Sequence, residues 1–423
     1  MIPKCVFCVP CTLRRLELTE SMWPKKGLSD TMSREATHIE VGVKSETVQR
    51  KQAVQRILRE LKSLDWRPAM EDVATSPHHA INDVEKSRRI YEQTGVFFKQ
   101  GNKNLLCVRE HPVFKGTGGC RNQDGFSVSR IKVDDENEFY IFCVCDGHGL
   151  STTDEGDKPG EKSPGHHHRA GDVCSRRGVR CLVELIELSL RAPNVRALIQ
   201  KGQQSVVEAY FSYVFGCIDD LMGDLPGGTT CTVVIMDIAK AFAYSAFVGD
   251  SSGGFVFRSR KGDAKARALG EYDHNFANPK EIERLSRLFG RDEMMELRRK
   301  GQLITQTKSN ATKALNVTRA LGDREFEHVG KTAKPDCKVW LVTEPVEFLI
   351  IGSDGVWDMI QLSTVADHLS RVQSTDGLYH LASRVGSDAM IRYQKATGGA
   401  CDDTTLLLID VRPLVQLMVS RLP

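Results

Sequence analysis

The residues Phe139-Tyr-Ile-Phe-Cys-Val-Cys-Asp-Gly-His-Gly149 form the stretch that decides the fold. An apolar and aromatic run reaches Asp146 without interruption, and a glycine stands on each side of the next polar residue, His148. Short apolar runs that end at Asp or Gly are typical of β-strands. The stretch therefore predicts a strand that carries a carboxylate at its end.

Other aspartates repeat this arrangement of a carboxylate beside an apolar run. They are Asp354 after 348–353, Asp402 and Asp403 before 404–409, Asp124 before 125–128, and Asp250 after 246–249. Carboxylates gathered at one place repel one another unless a cation intervenes, and oxygen ligands suit Mg²⁺ or Mn²⁺. Taken singly, each aspartate is better explained as a turn residue, and spacing alone does not bring them together in space.

Between these aspartates, short apolar runs alternate with longer helical segments. The predicted strands are 139–145, 230–236, 241–248, 254–257, 338–342, 348–351 and 404–410. The predicted helices are 175–190, 194–222, 279–289, 362–372 and 377–394, with an amphipathic helix at 47–64. Strands interrupted by long helical segments indicate a mixed α and β layered domain.

The composition is that of an ordinary globular protein of 423 residues. The longest stretch without a charged residue, 225–236, is shorter than the about 20 apolar residues of a membrane helix. A net charge of +3 differs from the strongly basic domain of a nucleic-acid binder. The N-terminus lacks the apolar core of a signal peptide, and 13 scattered cysteines favour free thiols. We therefore expect an intracellular protein, cytoplasmic and/or nuclear.

The composition changes near residue 100. We predict that residues 1–100 form an extension, partly helical and partly mobile, and that residues 101–415 form one large domain. Within that domain, 150–169 is a polar loop insertion with three consecutive histidines at 166–168. Such long loops are usually functional or disordered. Consecutive histidines cannot all face one metal from a regular element, so no metal is assigned to them.

Seven short motifs follow one another along the large domain. They are Asn122-Gln-Asp124, Val144-Cys-Asp-Gly-His-Gly149, Gly228-Thr-Thr-Cys-Thr232, Val248-Gly-Asp-Ser251, Thr318-Arg-Ala-Leu-Gly-Asp323, Ser353-Asp-Gly-Val-Trp-Asp358 and Asp402-Asp-Thr-Thr405. In this order they resemble the metal-dependent Ser/Thr protein phosphatase family (PPM, type 2C). The resemblance implies an α+β fold, a four-layer α-β-β-α sandwich of two antiparallel sheets flanked by helices, with metals in a cleft at one end of the sheets.

The resemblance also implies a role for each aspartate. Asp146 is similar to the carboxylate that bridges two metals, and Gly147 is similar to a residue whose carbonyl is a further ligand. Asp354 and Asp402 match ligands of the first metal. Asp124 matches the aspartate that is oriented toward the second metal through water, and Asp250 matches a ligand of a weaker third metal. His148 matches the general acid, and Asp403 matches the neighbour that supports metal-bound water.

The implied activity is metal-dependent hydrolysis of phosphoserine and phosphothreonine in proteins, without a covalent phospho-enzyme. The implied cofactor is Mg²⁺ or Mn²⁺, two per domain with a weaker third in some members. Two such ions lower the pKa of a bridging water and neutralise the phosphoryl oxygens, and His148 would protonate the leaving alkoxide. The expected partners are phosphorylated proteins; we expect a monomer with no bound nucleic acid.

One position departs from the family pattern. Many members carry a phosphate-binding Arg five residues before the aspartate that matches Asp124, and this chain has Gly119 there. Arg121 is the nearest candidate for the substrate phosphate, two residues further along. The alternative function is therefore a catalytically weak or inactive phosphatase fold that serves as a regulatory or scaffold protein. The presence of all the metal aspartates favours the enzyme.

A cysteine-dependent phosphatase is a weaker alternative. It needs a nucleophilic Cys, five residues and then a phosphate-binding Arg, and both Cys174 to Arg180 and Cys8 to Arg14 match this spacing. Two matches in one chain show how unspecific the pattern is. Cys174 is also predicted to lie in a helix, whereas the nucleophile of such enzymes sits in a phosphate-binding loop.

The segment 261–313 lies where family members carry a flap beside the cleft. It contains Arg298, Arg299 and Lys300 among several acidic residues. One interpretation is the solvated face of helices. The other is that these cations steer acidic phosphopeptides toward the metals.

Overall fold

The computed structural model describes residues 32–64, 66, 99–100, 103–104, 106–111, 122–149, 170–223, 225–258, 263–306, 312–342, 345–372, 375–398 and 402–421. Gly119, Arg121, the insertion at 150–169 and the cysteines at 5, 8 and 11 lie outside these residues. The chain divides into two compact units, Met1–Gln49 and Arg50–Pro423. Everything that follows concerns the second unit.

Helices and strands alternate along this unit. The helices are α1 Met32–Lys62 (which begins before it), α2 Ala170–Arg191, α3 Pro193–Ile199, α4 Gln204–Met222, α5 Pro279–Ser286, α6 Arg291–Lys300, α7 Asp354–Trp357, α8 Leu362–Leu369, α9 Thr375–Thr397 and α10 Arg412–Ser420, with a 3₁₀ turn at Arg324–Val329. The strands are β1 Lys99–Gln100, β2 Lys103–Asn104, β3 Leu106–His111, β4 Asp124–Lys132, β5 Glu138–His148, β6 Gly228–Thr229, β7 Cys231–Asp237, β8 Phe242–Val248, β9 Ser252–Arg258, β10 Ala264–Ala268, β11 Leu303–Gln306, β12 Thr312–Leu315, β13 Leu321–Gly322, β14 Asp336–Leu341, β15 Val346–Gly352 and β16 Thr404–Asp410.

Two antiparallel sheets form the centre of the unit. The first has the order β13-β6-β5-β7-β8-β14, with β4 also paired to β5. The second has the order β10-β9-β15-β16-β3. Every strand pairing in both sheets is antiparallel.

The alternation of side chains along the strands explains the layers. In β5, Tyr140 and Phe142 point into an apolar layer shared with β9, β15 and β16, between the two sheets. Ile141 and Cys143 point the other way, against α2, α3 and α4. The outer face of the second sheet packs on α8 and α9. The order of layers is helix, sheet, sheet, helix, so the predicted α+β sandwich is confirmed.

The predicted strands and helices agree with the observed ones apart from their ends and one helix break. The helix predicted at 194–222 is two helices, α3 and α4, because Gly202 adopts a left-handed φ of 62° between them. Ile57 and Leu61 of α1 are buried in the same core layer as α2 and α4. The structure also contains elements that the sequence pattern did not indicate, among them α10 and the strands β3, β10, β11 and β12.

The outer edge of the first sheet is closed by a side chain. The amide of Gln204 donates to the carbonyl of Cys337 (2.7 Å) and accepts from the backbone N–H of Val339 (3.0 Å) in edge strand β14. Among the described residues, none of the helices has the length and apolar character needed to cross a membrane. Seven cysteines whose side chains the structure describes are free thiols, and six of them are buried: Cys143, Cys145, Cys174, Cys181, Cys217 and Cys231, with Cys337 half-buried.

Candidate active site

The first sheet places two predicted metal ligands opposite each other. Asp124 begins β4, Asp146 lies near the end of β5, and the two are direct register partners. Residues directly opposite in an antiparallel pair have Cβ atoms about 4.5–5.5 Å apart and share a face. The sheet register alone therefore brings these two carboxylates together.

The second sheet contributes carboxylates at the same end of the sandwich. Asp354 follows β15, and Asp403 lies directly before β16. The side chain of Asp403 accepts a hydrogen bond from the backbone N–H of Gln123 (2.9 Å), next to Asp124. Ser353 donates to Asp124 (2.9 Å) and accepts from the backbone N–H of Thr405 (3.0 Å). These bonds tie the ends of the two sheets to each other.

Asp250 approaches the same cleft from the end of β8. The preceding Gly249 has a φ of 92°, a conformation that side chains disfavour, and its N–H donates to Nδ1 of buried His274 (3.2 Å). Asp250 follows this turn and lies near Asp146 and Asp354. The charge of Asp250 therefore raises the pKa of Asp146, and the charge of Asp354 raises the pKa of Asp250.

The carboxylates in the cleft are strongly perturbed. Burial and then the charge of Asp403 raise the pKa of Asp124 to about 8. Burial and the neighbouring carboxylates raise the pKa of Asp250 to about 8 and that of Asp354 to about 6. The pKa of Asp146 is raised by burial and by Asp124 and Asp354, and it shares a hydrogen bond with Asp354. Carboxylates brought this close repel one another unless a proton or a cation is shared between them.

This environment fits hard divalent cations. One oxygen each of Asp124 and Asp354 is buried without a hydrogen-bond partner, and the donors are carboxylate oxygens. Within the described residues, no three His, Cys, Asp or Glu side chains form a ready-made metal-binding group. Mg²⁺ keeps several waters and takes only one or two protein carboxylates, so a dense protein ligand shell is not required.

His148 ends β5 and meets an aspartate that the sequence analysis gave no role. Its Nε2 lies 2.6 Å from Oδ2 of Asp323, whose side chain is only 3% exposed. Burial lowers the pKa of His148, but Asp323 and the cleft carboxylates outweigh it, and the net shift is upward. His148 is therefore held in a fixed orientation beside the cleft.

Glycines make room for this pair. A Cβ on Gly228 would collide with the Asp323 carboxylate, and Gly322 has a φ of 84° directly before it. Asp323 itself has a φ of 53°, which is uncommon for a residue with a side chain. Such backbone strain clusters at functional sites. The only sequence signal was that Asp323 closes the Thr318–Asp323 motif.

The structure describes some of the remaining predicted site residues and not others. Gly147 packs so tightly against Gly171 that no side chain fits there. Asp402 lies next to Asp403 before β16 and accepts its backbone N–H (2.9 Å). Arg121 is outside the described residues, so its role stays a prediction. Two acids that the sequence analysis passed over, Asp273 and Asp358, also act electrostatically on the cluster.

The cysteine-dependent alternative finds no support. Cys174 lies inside α2 and is fully buried, and burial raises the pKa of its thiol to about 12. A reactive cysteine needs a lowered pKa and access to solvent.

The structure is a two-sheet sandwich whose carboxylates converge at one end, and carboxylate oxygens are donors that suit divalent cations. Residues 120–397, well over half of the chain, match the model of the family described as Protein phosphatase 2C. The chain belongs to this protein phosphatase family, and the resemblance seen in its motifs is confirmed.

The individual relatives are distant. Protein phosphatase 2C homolog 2 of Aspergillus fumigatus is 28% identical over 188 residues, covering 42% of this chain and 39% of that protein. Probable protein phosphatase 2C 21 of Arabidopsis thaliana is 28% identical over 202 residues, covering 46% and 50%. The alignments to these curated relatives thus span at most half of their length. A serine-threonine phosphatase 2C structure from Toxoplasma gondii is 16% identical, covering 72% of this chain and 94% of that one, with a TM-score of 0.46.

Proposed function

We propose that this protein hydrolyses phosphoserine and phosphothreonine in proteins, using Mg²⁺ or Mn²⁺ at the aspartate cleft. The observation that carries the proposal is the meeting of Asp124, Asp146, Asp250 and Asp354 at one end of the sandwich, where burial and the neighbouring carboxylates raise the pKa of each. Membership of the protein phosphatase 2C family supports the same activity.

The metal ligands in this proposal follow the family pattern. Two ions are held by Asp124, Asp146, the Gly147 carbonyl, Asp354 and Asp402, and Asp250 serves a weaker third. When bound, the ions supply a water of lowered pKa and neutralise the phosphoryl oxygens. Asp403 supports this arrangement by fixing the backbone next to Asp124.

His148 delivers the proton to the leaving serine or threonine oxygen. Because its Nε2 faces Asp323, Nδ1 is the atom left to donate toward the cleft. Asp323 acts as a positioning residue, since it fixes the ring and favours the charged form of His148. A positioned general acid of this kind contributes roughly 10²–10⁴-fold to the rate.

Three further properties are proposed: the residue that binds the substrate phosphate, the cellular location and the oligomeric state. Arg121 binds the substrate phosphate in place of the arginine absent at Gly119. The protein acts inside the cell, in the cytoplasm and/or nucleus, and as a monomer. An Arg121→Ala variant with an unchanged KM for phosphopeptides would remove Arg121 from the proposal.

The test is phosphate release from a phosphothreonine peptide by purified protein with Mg²⁺ and with Mn²⁺. We expect Asp146→Ala and Asp354→Ala to lower kcat by at least about 10³-fold, since each removes several kcal/mol of charge stabilisation. Asp135→Ala is the matched control, because its side chain is 96% exposed in the turn after β4. Equal activity in the cleft variants, or none in the wild type with either metal, would reject the enzyme and leave the scaffold alternative.

A further inference from the structure

A groove of about 380 Å³ lies beside the aspartate cleft. One wall comes from the segment between β10 and α5 and includes Tyr272, Asp273 and Asn278. The other wall comes from the end of α7 and the start of α8 and includes Trp357 and Leu362. Its volume falls in the range of ligand-binding sites, so it can take a short peptide segment.

The residues that line the groove come close to the cleft. Ser252, which lines it, follows Asp250 by two residues, and the indole of Trp357 donates to the carbonyls of Ser252 (3.0 Å) and Gly352 (2.9 Å). The charge of Asp273, in the groove wall, also raises the pKa of Asp250. A peptide whose phosphoryl group reaches the aspartates would therefore extend along this groove.

The chemistry of the walls is apolar and acidic. Trp357, Ile360 and Leu362 give an apolar surface, and Tyr272 is 44% exposed at the rim. The charged residues in the lining are Glu271 and Asp273, and none of the described residues that line it is Lys, Arg or His. Glu271 contacts Lys280 outside the lining, but these side chains are 64% and 62% exposed, and such surface pairs contribute little. Burial and the charge of Asp358 raise the pKa of Asp273 to about 6, so a cation in the groove would relieve an existing repulsion.

We propose that this groove binds the residues flanking the phosphorylated residue and selects substrates with basic flanking residues over acidic ones. The inference rests on the proposed function of the cleft and adds its substrate class. It opposes the hypothesis that Arg298, Arg299 and Lys300 attract acidic phosphopeptides. None of these three residues of α6 lines the groove.

The experiment compares kcat/KM for two peptides, each with one phosphothreonine in a polyalanine sequence. One peptide has arginine, and the other has glutamate, at the positions two residues before and two residues after the phosphothreonine. We expect the arginine peptide to be preferred about 10-fold, the effect of about 1.4 kcal/mol of charge complementarity. Glu271→Lys should bring this ratio close to one, and Gln361→Glu, which adds a charge to the opposite wall, should raise it. Glu283→Lys is the matched control, because this side chain is 68% exposed on α5, away from the groove.

The small substrate p-nitrophenyl phosphate separates the two proposals, since it does not reach the groove. If p-nitrophenyl phosphate is hydrolysed and the two peptides have equal kcat/KM, the groove proposal is overturned and the proposed function stands. A preference for the glutamate peptide, or a ratio that Glu271→Lys leaves unchanged, would overturn it as well. No hydrolysis of any of the three substrates would overturn the proposed function instead. A ratio that falls with Glu271→Lys and rises with Gln361→Glu would support the groove proposal.

Discussion

Two sets of buried acids in this protein have opposite electrostatics. In the cleft, burial and neighbouring carboxylates raise the pKa of Asp124 to about 8. Glu281 of α5 is fully buried as well, but Arg319 and Arg284 donate to it (2.6 and 2.8 Å) and its pKa is lowered to about 2. Asp336 is 44% exposed, and its contacts with His274 (3.4 Å) and with the same Arg319 (2.9 Å) likewise lower its pKa to about 2.

The difference separates acids that hold the fold from acids kept for a ligand. A buried carboxylate in a structural role is paired and hydrogen-bonded, because an unpaired buried charge is strongly destabilising. Buried acids that stay unpaired at a cleft mark a functional site. The Glu281 network anchors α5 to the segment before β14, whereas the cleft acids raise one another's pKa.

The largest effect on stability should come from breaking the paired set. Glu281→Gln leaves Arg319 and Arg284 facing a neutral amide, and we expect a loss of about 3–5 kcal/mol in the free energy of unfolding. Urea denaturation at pH 7 measures it, with the exposed Glu283→Gln as control. In the wild type this contribution is present above pH 4.5 and is lost as the pH falls toward 2, since the folded pKa is lowered. A loss below about 1 kcal/mol would show that the two sets do not differ.

Asp323 represents a third arrangement, an acid paired with a histidine inside the cleft. With Asp323→Asn, we expect kcat for a phosphothreonine peptide to fall about 10²-fold, because His148 loses its orientation and its charged form. The fall should be much smaller for p-nitrophenyl phosphate, whose leaving group needs no proton. The control is Asp220→Asn, at a side chain that is 74% exposed. An equal fall for both substrates would limit Asp323 to a structural role.

The smallest effect should be a pH dependence of the metal-free protein. The pKa of Asp124 is raised from 3.8 to about 8, so between these pH values the folded protein binds more protons and its stability falls as the pH rises. We expect the melting temperature in EDTA to be roughly 2–4 °C lower at pH 8 than at pH 6, an effect of about 1 kcal/mol.

Two comparisons test the origin of this pH dependence. Saturating Mn²⁺ should remove most of it, because the cation balances the ionised carboxylates. Asp124→Asn should remove part of it without any metal. A melting temperature that rises from pH 6 to pH 8 in EDTA would contradict the assignment of the raised pKa.

Much of the fold followed from local sequence patterns. Apolar runs such as 139–145 and 404–410 became the centres of β5 and β16, because a fully buried strand needs an unbroken apolar run. The carboxylates at their ends were visible for the same reason, since a charge ends such a run. Their convergence was not visible, because it depends on the register of β4 with β5 and on the bond from Ser353 to Asp124.

Other features could not be predicted because they depend on tertiary contacts. Asp323 lies 175 residues from His148, and only the packing of Gly228 and Gly322 brings them together. Glu281 looked like one more charge on a solvated helix, yet it is fully buried under two arginines. The split of the predicted helix 194–222 depended on a single glycine, and an isolated glycine does not by itself end a helical pattern.

The glutamine at the sheet edge has a consequence for solubility at high protein concentration. An exposed edge strand offers unpaired backbone groups to any other chain and so invites aggregation. Gln204 occupies two such groups of β14 at once, at Cys337 and Val339. A Gln204→Ala change would uncover a template for a foreign strand without touching the cleft, so the protein would lose its resistance to precipitation before its chemistry.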